Sequence, residues 1–155
     1  MHIALAQLDA RIGDMAGNAR RILDAAAAAK RGGASLVVTP ELSLCGYPPE
    51  DLLLRPAFLD ACASELASLA AAVRDVPVVV GFPERRDGRR HNALAFVRGG
   101  RVEAVYRKKI LPNYTVFDEQ RYFVPGDEPC VVDVDGVRCG LIVCEDIWFP
   151  GPAAQ

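Results

Sequence analysis

The first 39 residues constrain the fold more than any other stretch. Residues 2–8, His-Ile-Ala-Leu-Ala-Gln-Leu, read as a strand apolar on both faces, with Ile3 and Leu5 on one side and Ala4, Ala6 and Leu8 on the other. Ala16-Gly17-Asn18 then offers a helix cap. Ile22, Leu23, Ala26, Ala27 and Lys30 recur at helical spacing until Gly32-Gly33 stops the run, and residues 35–39 form a second short strand. Strand, helix and strand in so short a span predict an α/β layer with a parallel strand pair.

The rest of the chain extends this layer and then changes pattern. Residues 40–56 make a long loop rich in proline and acid, the kind that in a compact domain tends to be functional. An amphipathic helix over 58–73 presents Cys62, Leu66, Leu69 and Val73 on one face, and a third strand follows at 77–81. Two strands at 92–97 and 102–106 are joined by a Gly99-Gly100 hairpin. After an irregular stretch from 111 to 126, a second hairpin pairs 130–134 with 137–143 over Asp135-Gly136. These elements predict helices on one side of a mixed sheet. Because such a unit would leave apolar sheet surface uncovered, the chain is expected to be the N-terminal piece of a longer protein.

Composition narrows the class. At 155 residues the chain is about one domain, long enough to bury roughly two-thirds of its unfolded surface. No run approaches the roughly 18 apolar residues of a membrane span, and the start lacks the pattern of a secretory signal, so a cytoplasmic protein is expected. The net charge of −2 gives no reason to expect a nucleic-acid partner. The basic cluster at 85–90, broken by Asp87-Gly88, reads as a solvated loop. Five scattered cysteines include no CxxC pair, so free thiols are expected and no metal site is implied.

Three strand ends deliver a side chain that could carry chemistry: Glu41, Lys108 and Cys144. Each has an ordinary reading. Glu41 could be an acid in a helix's first turn, Lys108 a solvated cation closing a hairpin, and Cys144 a buried apolar thiol. Together they form a sufficient set for hydrolysing an amide through a covalent acyl-enzyme without a metal. Glu41 can take the thiol proton, while Lys108 can lower the thiol pKa and hold a developing oxyanion. Only His2 and His91 exist, so a Cys-His pair is not expected.

The segments "TPELSLCGYPPEDLL" (39–53), "YRKKILPNYTVFDEQRYFVPG" (106–126) and "GLIVCEDIWFP" (140–150) closely resemble the three catalytic segments of the nitrilase, or carbon-nitrogen hydrolase, superfamily. Their wording is most similar to one branch, the glutaminase domains of glutamine-dependent NAD synthetases, and the resemblance covers nearly the whole chain. It implies a four-layer α-β-β-α sandwich whose C-terminal part lies beyond residue 155, followed by a synthetase domain. By the same resemblance Glu41 is the general base, Lys108 rather than Lys109 the catalytic lysine, and Cys144 the nucleophile. Glu119 is implied as a second acid orienting lysine and substrate, and Tyr114 as an aromatic lining the glutamine pocket. Implied partners are glutamine, the synthetase domain and further copies of the chain. No cofactor is implied for these residues, whereas ATP and Mg2+ belong with the synthetase domain. Two other functions fit the same sequence: a stand-alone amidase of the superfamily acting on a small amide, and a truncated, non-catalytic interaction module.

Overall fold

The computed structural model describes residues 1–154. Its main sheet has five strands in the order β1 (Ile3–Leu5), β2 (Leu36–Val38), β3 (Val78–Arg86), β4 (Arg89–Arg98) and β5 (Arg101–Arg107). The first three run parallel and the last two are antiparallel, as a helix crossover followed by hairpins requires. Helices α1 (Met15–Arg31) and α2 (Pro56–Ala72) pack together on one face. A two-stranded sheet of β6 (Val131–Val134) and β7 (Val137–Gly140) lies on the other. The result is three layers, α-β-β.

Strand alternation divides the core between those faces. Val78, Val80 and Phe82 of β3, with Ala93, Ala95 and Val97 of β4, meet Ile22 and Ala26 of α1 and Leu66, Leu69 and Val73 of α2. The intervening Val79, Leu94 and Phe96, joined by Tyr106 of β5, meet Val132 and Val134 of β6 together with Leu141 and Val143. Each fully buried aliphatic side chain contributes about 1.5–3 kcal/mol, so both faces of β3 and β4 anchor the domain. A third cluster, with Leu42, Cys45, Leu53, Leu59, Cys62, Leu111 and Phe123, lies beneath the two irregular stretches and fixes them to α2.

Several elements differ from their sequence expectations. Helix α1 starts before Ala16-Gly17-Asn18: Asp14 is its cap and accepts from Gly17 N at 3.0 Å. Asn18 is buried instead, its amide donating to the carbonyls of Arg11 and Leu44. The cluster at 85–90 is not a loop, because β3 and β4 continue pairing through Arg86 and Arg89 and only Asp87-Gly88 turns. The outer strand β1 is covered on one face only. Leu5 is 78% and Ile3 49% exposed, because the β6–β7 pair covers the second face of the sheet no further than Leu36 and its neighbours. Strand β7 ends at Gly140, and residues 141–143 run on as unpaired extended chain into the turn at Cys144. Short helix α3 (Pro150–Ala153) follows that turn.

Gly81 couples the sheet to the loop after β2. A Cβ built there would lie 2.5 Å from both Leu42 N and the Pro40 carbonyl oxygen, so only glycine lets the 40–42 turn lie on β3. Leu44 N also donates to Gly81 O at 3.0 Å. Gly81→Ala is expected to lower the unfolding free energy by about 1–3 kcal/mol in urea titrations. Gly140→Ala, where an added Cβ meets nothing within 4 Å, should be close to neutral.

Candidate active site

Lys108 follows the last residue of β5. Its backbone N–H donates to Asn92 O at 2.8 Å and its carbonyl accepts from Gly126 N at 2.9 Å, which turns the side chain inward. That side chain has no exposure, and Nζ sits 2.7 Å from Glu41 Oε1 and 2.8 Å from Glu119 Oε1. An ammonium buried without such partners would lose several kcal/mol of hydration. Burial pulls the Lys108 pKa down, but attraction to Glu41 and the bonds to Glu119 and Glu41 outweigh it, so the net movement is upward. The amine is held as a cation.

The sheet's design places Glu41. After β2, the Thr39 hydroxyl hydrogen-bonds to Val79 O at 3.0 Å and pairs with the Ser43 hydroxyl at 2.7 Å, fixing the turn in between. Leu42 adopts a left-handed φ of 51° within it. Asn92 Nδ2 donates to Glu41 Oε1 at 2.6 Å, so the same oxygen that meets Lys108 is also held from β4. Glu119 arrives on a short 3₁₀ turn, Glu119–Arg121, tied down by Glu119 N to Pro112 O and Phe123 N to Glu119 O. Burial pushes the Glu119 carboxyl up to about 6, with Glu41 adding to that push and Lys108 opposing it. One ammonium thus neutralises one carboxylate fully and leaves the second costly to ionise.

Cys144 opens the 3₁₀ turn Cys144–Trp148 with φ at 44°, a conformation that an L-residue adopts only when its surroundings impose it. The residue is exposed, unlike buried Cys45 and Cys62. Burial of the thiol group raises its pKa first, the Glu41 charge and a thiol–Glu41 hydrogen bond raise it further, and Lys108 lowers it. Lys108 lowers the thiol pKa as expected, but burial and Glu41 outweigh it and the net direction is up. A raised thiol pKa favours the protonated sulfur at rest, beside the Glu41 carboxyl. Glu41, Lys108, Glu119 and Cys144, drawn from a span of some hundred residues of the chain, act on one another in a single cluster. Among the described residues no group of three His, Cys, Asp or Glu is placed to hold a metal ion, and no helix is long and apolar enough to cross a membrane.

The carbon-nitrogen hydrolase family profile matches residues 2–155. The chain belongs to that family. Among its relatives is the glutamine-dependent NAD(+) synthetase of Xanthomonas campestris pv. campestris (strain 8004), 49% identical over 158 residues that take in all of this chain but 29% of that protein. The structure of glutamine-dependent NAD+ synthetase from Acinetobacter baumannii superimposes with a TM-score of 0.94 at 40% identity, covering 99% of this chain and 29% of that one. The E41Q mutant of an amidase from Nesterenkonia sp. AN1, solved with acrylamide added at its active-site cysteine, gives a TM-score of 0.82 at 33% identity over 97% of this chain and 60% of its own. The chain therefore spans under a third of the length of the curated synthetases it matches, and the α-β-β layers described above are the nitrilase-type fold of this family.

In this carbon-nitrogen hydrolase chain, Tyr114 stands at the rim. It is half exposed, and its hydroxyl donates to Glu145 Oε1 at 2.9 Å, which raises its pKa. His91 is paired elsewhere, its Nδ1 3.0 Å from Val124 O, and burial lowers its pKa. Three site neighbours were not singled out from sequence. Asn92 is a buried amide just before the apolar run 93–97 of β4, and Asp146 a buried acid two residues after Cys144. Tyr47, whose pKa burial and then Glu41 raise to about 12, lines a cleft of about 110 Å³ with Phe117 and Glu119. The signal for the first two was a polar residue inside an apolar run, which by itself does not reveal a partner.

The raised Glu119 pKa has a definite consequence for stability. The folded state binds the Glu119 proton more tightly than the unfolded chain does, so stability falls as pH rises from 4.5 towards 6. Glu119→Gln removes that titration. The stability of wild type relative to Glu119→Gln should fall by about 2 kcal/mol between pH 4.5 and pH 7, measured by urea unfolding at each pH.

Proposed function

We propose that this chain is the glutamine-hydrolysing part of a glutamine-dependent NAD synthetase. The observation that carries the reading is the Glu41–Lys108–Glu119 cluster set around the Cys144 thiol. The names of the relatives, 49% and 40% identical, support the synthetase branch over the wider family. The similarity to an amidase with a reactive active-site cysteine supports the sulfur as nucleophile.

The chemistry follows from the protonation states. As the Cys144 sulfur attacks the side-chain amide carbon of glutamine, its proton passes to Glu41. The C–S bond forms, the carbonyl π bond opens, and the Lys108 ammonium stabilises the resulting oxyanion. Glu41 returns the proton to the nitrogen as the C–N bond breaks, which releases ammonia and leaves a γ-glutamyl thioester. Water loses a proton to Glu41, attacks the thioester and frees glutamate, and the thiol is restored. Among the described residues Glu119 Oε2 is buried without a hydrogen-bond partner, which makes it an acceptor for a substrate N–H, while its other oxygen orients Lys108. Tyr114 and Tyr47 line the approach.

In this reading the ammonia passes to a C-terminal synthetase domain that amidates deamido-NAD with ATP and Mg2+. That step is assigned, in this reading, to polypeptide outside the residues of this chain. Assembly through further copies of the chain and a cytoplasmic setting belong to the same reading. The second reading, an amidase acting on a small amide, is favoured by the Nesterenkonia similarity alone.

Ammonia release from glutamine by the full-length protein tests the proposal. Cys144→Ala should lower it by at least about 10³-fold, as loss of a covalent nucleophile does. Lys108→Ala should cost about 10²–10³-fold and Lys109→Ala far less. Equal release by wild type and Cys144→Ala would exclude catalysis at this site, and a reversed order of the lysines would move the oxyanion group to Lys109. Faster turnover of a short aliphatic amide than of glutamine would favour the amidase.

A further inference from the structure

Asp146 has no exposed surface, yet no cation neutralises it among the bonds it makes. Among the described residues its two oxygens accept four hydrogen bonds. Oδ1 takes the backbone N–H of Lys109 at 3.1 Å and of Ile110 at 2.8 Å. Oδ2 takes the Tyr106 hydroxyl at 2.8 Å and the backbone N–H of Val143 at 3.0 Å. Every partner is a donor, so the site demands a group that only accepts, which is a carboxylate.

The positions of those donors matter more than their number. Tyr106, Lys109 and Ile110 bracket Lys108, while Val143 immediately precedes Cys144. One buried carboxylate therefore spans the two segments that carry the oxyanion cation and the thiol, and it bonds to both at the backbone, where side-chain rotation cannot absorb an error. Residues 141–143 have no strand partner beyond the Leu141 N–Cys130 O bond; Leu141 and Val143 pack in the core, and Asp146 adds a directional bond at Val143 N, next to Cys144. Cys144 also holds its left-handed φ of 44° inside the turn that Asp146 closes.

We propose that Asp146 is the positioning residue that sets Cys144 in register with Lys108 and Glu41. This rests on the glutamine-hydrolysing reading for its rate consequences, but the geometric claim concerns the thiol itself. Asparagine cannot replace the carboxylate. Whichever way its amide turns, the NH2 group faces a backbone N–H, either that of Val143 or those of Lys109 and Ile110. Loss of register should then weaken proton transfer from the thiol to Glu41 and stabilisation of the oxyanion, without touching the groups that hold substrate.

Two readouts on the full-length protein test this. In Asp146→Asn, held well below its melting temperature and checked for folding by circular dichroism, kcat for glutamine should fall about 10²-fold while KM stays within about two-fold. Alkylation of Cys144 by iodoacetamide at pH 7, followed by mass spectrometry of its peptide, should slow at least about ten-fold and shift its pH profile. A purely structural role would lower the melting temperature and leave both rates alone in the folded protein. Folded Asp146→Asn with kcat and alkylation within two-fold of wild type would overturn the proposal. Should Asp146→Asn not fold, Tyr106→Phe, which deletes one of the four bonds, should slow alkylation about three-fold, and an unchanged rate would overturn it as well. Wild type without glutamine hydrolysis would count against the catalytic reading alone, since the alkylation rates still decide the clamp.

Discussion

The burial of the Lys108 ammonium is the interaction on which the rest of the site depends. A cation with no exposed side-chain surface is tolerable only where carboxylates meet it at hydrogen-bonding distance, and here Glu41 and Glu119 do so from two separate loops. Each loop is in turn committed to a position. The Glu41 turn lies on Gly81 with the Thr39 and Ser43 hydroxyls beneath it, and the Glu119 turn is tied to Pro112 and Phe123. The lysine is thus a structural keystone and a chemical group at once, and its deletion would strand two acids in a dry pocket.

Electrostatics divides labour among the charged groups. With one ammonium between two carboxylates the cluster carries excess negative charge, and burial makes that excess costly. The consequences are an upward push on Glu119 and an upward push on the Cys144 thiol. A resting thiolate beside Glu41 would add a third anion. Keeping the proton on sulfur avoids this, and in the proposed hydrolysis it leaves Glu41 as the base that removes the proton only as the carbonyl carbon is attacked. In that proposal Lys108 meets negative charge where it newly develops, on the substrate oxygen, which is the condition for lowering a barrier rather than tightening ground-state binding.

How much of this was legible in the sequence depended on whether a residue's role is local. The helices, the parallel pair, the two hairpins and the three strand-end residues follow from periodicity and turn chemistry that act over a few positions. Asp14 displaced Asn18 as the cap of α1 because Asn18 is drawn into a long-range bond with Leu44 O that no local pattern encodes. The cluster at 85–90 became a hairpin because strand pairing outweighed its polarity. Ile3 and Leu5 form one apolar face of a strand apolar on both, but what covers a strand is decided by other elements, and β6–β7 do not reach them. Asn92 and Asp146 escaped for the same reason: their partners lie 51 and 36 to 40 positions away.

The contrast between Cys144 and Lys108 shows why the site needs long-range bonds at all. Cys144 sits on an exposed turn, where the nucleophile of the proposed reaction can be reached, and Trp148 in the same turn is 76% exposed. An exposed turn is the part of a fold with least packing to hold it, and misplacement by about 1 Å is enough to cost roughly two orders of magnitude in rate. Hydrophobic contact cannot supply that precision, because it is non-directional and tolerates sliding. Directional bonds can. The buried carboxylate of Asp146, shared between the backbone on both sides of the gap, lets an accessible sulfur inherit the rigidity of a lysine that is locked in the core.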